Sequence, residues 1–79
     1  MSQGIQPPLP TKQYMDDFEW IQSHLDELGA AYPDEWIAVH KGRVLAADRD
    51  LGKVETAAQA QVSATDIAYY YVDTGTLIL

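Results

Sequence analysis

Between Glu35 and Ala47 two apolar runs are separated by a single two-residue turn signal, Lys41-Gly42, and this leaves the chain few alternatives. A two-residue loop joins antiparallel neighbours and requires positive φ, which glycine supplies at no steric cost. The segment therefore reads as a hairpin, with strand one over Glu35 to His40 and strand two over Arg43 to Ala47. Regular alternation across the turn sets Val39 opposite Val44 and Ile37 opposite Ala46, a wholly apolar face. The other face carries Trp36, Ala38, Leu45 and Ala47, with His40 and Arg43 at the tip. Strand one is apolar on both sides from Trp36 to Val39, as a central strand is.

Helices are expected on either side of this hairpin. Tyr14, Phe18, Ile21, Leu25 and Leu28 recur with helical spacing and define one core stripe on a helix over about Gln13 to Leu28. Thr11 is its N-cap candidate, with Asp16 and Asp17 in the early turns. Gly29 ends the helix and Pro33 forbids its resumption. After the hairpin, Asp50 is the N-cap of a second helix whose Leu51, Val54, Ala57, Ala58 and Gln61 share one side. Small alanines let that helix approach a sheet closely. Ile67 to Val72 is a third strand, rich in aromatic and β-branched residues, and Asp73-Thr74-Gly75-Thr76 is turn chemistry. The apolar Leu77-Ile78-Leu79 suggests a docked terminus or a short fourth strand.

The resulting order, α-β-β-α-β, describes one small α+β domain over residues 13–79, preceded by a Pro-rich arm, 1–12, expected to be flexible and extended. With strand one central and the second helix as crossover, the sheet order is 2-1-3, a split β-α-β arrangement. The second helix is expected on the face of Ile37 and Val39. The first is expected either beside it or on the Trp36 face. A chain of 79 residues hides only roughly 60% of its unfolded surface, so its core is thin.

The run Trp36-Ile37-Ala38-Val39-His40-Lys41-Gly42-Arg43-Val44-Leu45-Ala46, followed by Asp50-Leu51 and Val54, resembles a family of short domains of unknown function. That family has a W-[VI]-A-V strand, a turn glycine, a second apolar strand, a D-L helix start and a final apolar strand. The resemblance spans about Pro33 to Val72. It implies the same element order and carries no catalytic residues with it.

Charge and composition narrow the function. The net charge is −7, and its excess lies in Gln13 to His40, which holds seven acids and no Lys or Arg. A phosphate backbone is repelled by such a surface, so nucleic acid is not an expected partner. There is no cysteine, which excludes disulfides, thiolate metal sites and a Cys nucleophile. No apolar run is long enough to span a bilayer, and residues 1–12 do not read as an export signal, so a cytoplasmic location is expected and no membrane partner. Asp73-Thr74-Gly75 matches the aspartic-protease tripeptide but lacks a second Asp and a cleft, and reads as a turn. Neither His24 nor His40 has convergent metal ligands, no triad spacing occurs, and no cofactor motif exists.

Aromatic residues carry the remaining signal. On the first helix Asp17, Trp20, His24 and Glu27 share a flank beside the core stripe, an apolar anchor in a polar rim. Tyr69 and Tyr71 lie on the third strand, and with that flank they form the expected interface set. The first functional reading is a non-enzymatic protein-interaction module, an accessory subunit or self-associating domain. The second is an antitoxin- or inhibitor-type regulator whose acidic first helix binds a basic protein. A minimal metal-dependent enzyme is the third.

Overall fold

The computed structural model describes residues 11–74. Its elements are α1 (Lys12–Ser23), α2 (Leu25–Ala31), β1 (Glu35–His40), β2 (Arg43–Asp48), α3 (Leu51–Gln61) and β3 (Ala68–Val72). The sheet order is β2-β1-β3, with β1 antiparallel to both neighbours. β2 and β3 are therefore parallel, and α3 is the crossover between them, as the split β-α-β reading requires. Most of residues 1–12 and the segment Leu77-Ile78-Leu79 lie outside the described residues.

Local chemistry sets the helix starts. Thr11 Oγ1 accepts the Tyr14 N–H at 3.0 Å, and Asp50 Oδ1 accepts the Gly52 N–H at 3.0 Å, so both expected N-caps are present. The expected single first helix is instead two. In a continuous helix the Trp20 carbonyl would accept the His24 backbone N–H. Here the His24 ring Nδ1 lies 2.7 Å from that carbonyl, while the His24 N–H turns to Ile21 O at 3.1 Å. Side-chain competition for a backbone acceptor breaks the helix at His24. Gly29 accordingly sits inside α2, which ends at Ala31 with Tyr32 as its C-cap, just before Pro33.

The hairpin turn adopts positive φ at both Lys41 (55°) and Gly42 (70°), the primed geometry that matches strand twist. Val39 faces Val44 as expected, but Ile37 pairs with Ala47 and Ala38 with Ala46. The register shifts between Ala38 and Val39 because Leu45 is an extra residue on β2, a β-bulge. Leu45 and Ala46 consequently both join the α3-side core, while Val44 and Ala47 pack toward the other face. A bulge frees backbone groups from the ladder, and the Leu45 carbonyl is taken by Gln61 Nε2 of α3 at 2.6 Å.

Two cores result, one on each side of the sheet. Ile21, Leu28, Ile37, Val39, Ala68 and Val72 form the first, beneath α1 and α2. Ala38, Leu45, Val54, Ala58 and Ile67 form the second, beneath α3. This reverses the expected placement: α3 covers the Ala38 side, and α1 covers Ile37 and Val39. The reason is side-chain size. The alanine-bearing α3 settles over Ala38 and Ala46, whereas Ile37, Val39 and Tyr70 pack beneath α1 and α2. Each helix layer spans part of the sheet: α3 packs on β1 and β2, α1 on β1 and β3, and α2 on β3.

β1 is central and buried over Ile37–His40. Val39→Asp would place an unpaired carboxylate in a fully buried site. It should lower stability by more than ~3 kcal/mol, read as loss of a cooperative transition or a sharply reduced midpoint in urea.

Candidate functional site

One buried side chain ties α1 to the hairpin turn. Asp17 is 1% exposed. Its Oδ2 accepts the Lys41 N–H at 2.9 Å and its Oδ1 the Gly42 N–H at 2.9 Å. Two successive N–H groups in left-handed conformation form a small anion-binding concavity, and the carboxylate fills it. Gln13 Nε2 adds a bond to Oδ2 at 3.1 Å. The polar-rim role expected for Asp17 is thus overturned: it is a buried tie between helix and hairpin, with both oxygens committed.

Further side chains surround this tie. His40 Nδ1 is 3.9 Å from Asp17 Oδ2 and 3.9 Å from Asp66 Oδ1, and it makes no hydrogen bond. Asp66 Oδ2 accepts the Thr11 hydroxyl at 2.9 Å, which joins the α1 cap to the start of β3. Trp20 is half-buried against the first core, and its ring edge lies where a Cβ on Gly42 would meet it at 3.6 Å. His24 stacks on the Trp20 indole at 4.3 Å between ring centres. Trp20 and His24 therefore spend much of their surface on the hairpin turn and on each other. Glu27 is exposed on α2, beyond the helix break.

Of the expected β3 pair, Tyr69 is half-buried with an unpartnered, buried hydroxyl, and Tyr71 is 38% exposed with its ring 5.5 Å from that of Trp36. Tyr69 also lines an open cleft of about 480 Å³ with Gln59, Val62, Ser63, Thr65 and Ile67. That lining offers no carboxylate, imidazole or amine for acid–base work. Among the described residues no group of three His, Asp or Glu side chains is placed to hold a metal ion. Thr74, in the Asp73-Thr74-Gly75 run, donates through its N–H and hydroxyl to Asp34 Oδ1 at 3.2 and 3.1 Å. It ties the end of β3 to the residue just before β1, beside the Asp34 N–H bond to Val72 O. No helix among the described residues is long and apolar enough to cross a membrane.

The Asp17 tie turns α1 away from the expected stripe. Asp17 and Ile21 are its buried residues, whereas Phe18 is 40% exposed, Leu25 on α2 38%, and Met15 51%. The change is a rotation smaller than the ~100° between successive helix residues, yet it moves an apolar row outward. Phe18 is held there by a stack on Tyr14, 6.5 Å between centres, and an edge contact with Tyr70 of β3 at 6.3 Å. Beside the row stand exposed Asp16, Glu19, Asp26 and Glu27. Lys12, at the start of α1, is bound to Asp16 at 3.0 Å, and that hydrogen bond and the Asp16 charge raise the Lys12 pKa. Sequence periodicity alone places Phe18 and Leu25 in the core. Met15 stands outside that stripe and carries no signal of its own.

Fold and surface together define a small three-layer α+β domain that presents an apolar row in an acidic setting. Residues 27–75 match DUF5678, a family of unknown function, and the chain belongs to that family. The match takes in most of α2 and the whole hairpin, α3 and β3, and leaves α1 with Asp17 and Phe18 outside it. No curated protein and no solved structure was found to match the chain.

The tie makes a stability prediction. Asp17→Asn replaces one acceptor by an amide that faces an N–H, and should cost about 1–3 kcal/mol. Trp20→Ala should cost about 1–3 kcal/mol, less than a fully buried Trp, because its ring packs on Gly42. Chemical denaturation measures both. A change below experimental error in either would show that α1 is held by other contacts.

Proposed function

We propose that this domain is a non-enzymatic protein-interaction module, acting as an accessory subunit that docks through the outward row of α1 and α2. The carrying observation is that Met15, Phe18 and Leu25 are three of the four large apolar side chains exposed among the described residues, all on one helical layer. Phe18 is also held between Tyr14 and Tyr70, so little side-chain freedom remains to be lost on docking. Large apolar side chains clustered at a surface with a polar border are the anatomy of an interaction site. Tyr71 lies on the sheet's other side and is the natural control.

Two measurements test the reading. Sedimentation at micromolar concentration reports self-association, and affinity capture from the native host extract reports a stoichiometric partner. One of the two should give a complex that Met15→Ser and Phe18→Ser weaken and Tyr71→Ser leaves intact, with all three variants folded. A monomer that captures nothing, or a complex indifferent to Met15 and Phe18, would refute it.

A further inference from the structure

The geometry points to a specific kind of partner, and this inference rests on the interaction-module reading above: the α1–α2 row receives a cationic amphipathic helix, and not a second copy of this chain. Charge decides between the two. The segment from Gln13 to His40 carries seven acids and no Lys or Arg. Asp17 is buried and already bonded to the hairpin, but Asp16, Glu19, Asp26 and Glu27 are exposed beside the row. Glu19 follows Met15 by four residues, one helical turn on. Asp26 adjoins Leu25 at the start of α2. Both carboxylates thus border the apolar side chains that a docking helix would meet.

A two-fold dimer through this face would set the acidic borders of two copies against each other, a repulsive arrangement. A head-to-tail contact could bring the exposed Lys41 and Arg43 of another copy onto the acids. Such a contact joins two different surfaces, so it builds a ring or an open chain and leaves the α1–α2 row of each copy on the Lys41–Arg43 turn instead of on another apolar row. A foreign helix has neither problem. Its apolar side chains at helical spacing would meet Met15, Phe18 and Leu25, and Lys or Arg on its flank would meet Glu19 and Asp26. This is helix-on-helix recognition with the charges supplying register and encounter rate, and the apolar contacts most of the affinity.

The test uses the full chain and three synthetic peptides. The first is an amphipathic helix of leucine on one face and lysine on the other. The second has the same composition scrambled, and the third carries glutamate in place of lysine. The first should bind the domain saturably with one-to-one stoichiometry, at least ~10-fold tighter than the scrambled peptide, with no binding of the glutamate peptide. Met15→Ser, at a half-exposed position, should weaken binding ~10-fold or more, while Tyr71→Ser leaves it unchanged. Glu19→Lys with Asp26→Lys should weaken the lysine peptide and admit the glutamate peptide. Raised salt should slow association more than dissociation.

Equal binding of the ordered and scrambled peptides would overturn the inference, as it would reduce the effect to bulk charge. So would insensitivity to Met15→Ser, or a homodimer in sedimentation that Met15→Ser abolishes. That last result sinks the cationic-helix assignment and leaves the interaction-module reading standing, because the same face would then be shown to dock a second copy.

Discussion

The carboxylate of Asp17 lies in the concavity of the Lys41-Gly42 turn, and the arrangement of the helical layer follows from that contact. Lys41 adopts positive φ, a conformation that costs a non-glycine residue of order 1–3 kcal/mol. It is tolerated here because the primed turn suits the strand twist and because its N–H and that of Gly42 both donate to one buried anion. The partners are 24 and 25 residues apart, so the contact sets the rotation of α1 about its axis as well as its position. Trp20 then falls over Gly42, Ile21 drops into the first core, and Phe18 turns to the rim.

That rotation exchanges the roles of two helix flanks. Asp17, Trp20 and His24 form the polar-aromatic flank, which suggests a surface when read linearly, yet most of it faces the hairpin. Phe18 and Leu25 belong to the regular apolar stripe, yet they remain at the surface. Helical spacing of apolar residues gives only the average direction in which a helix is greasy. It does not register one buried carboxylate whose charge-assisted bonds to two N–H groups are stronger than ordinary ones. The exposure of Phe18 is therefore a consequence of how α1 is tied down, and the acidity of its surroundings is a consequence of composition.

On the opposite side of the sheet the organising feature is the Leu45 bulge. An extra residue on β2 turns both Leu45 and Ala46 toward α3, which widens the small, alanine-rich floor on which Val54 and Ala58 settle. The carbonyl that the bulge withdraws from the ladder is recovered by Gln61 near the end of α3. Because α3 spans only β1 and β2, the α3-side residues of β3 are left partly open, which is why Tyr71 is exposed and Tyr69 borders a cleft.

By itself the sequence determined what depends on neighbours along the chain. Thr11 and Asp50 cap helices, Lys41-Gly42 makes a hairpin, and two-sided apolarity puts Glu35–His40 at the centre of a 2-1-3 sheet. Each of these rests on turn geometry, capping or alternation within a few residues. Other features waited for the tertiary structure: the break at His24, the bulge at Leu45, the face each helix covers and the arc of α1 that is buried. The break is a contest between a ring nitrogen and a backbone N–H for one carbonyl. The bulge shifts alternation without any marker residue. Helix placement compares the depth of two sheet faces, and the burial of Asp17 requires a turn far along the chain to be already formed. Periodicity carries no term for any of these, because each is decided by small differences in contact energy that the spacing of apolar residues does not encode.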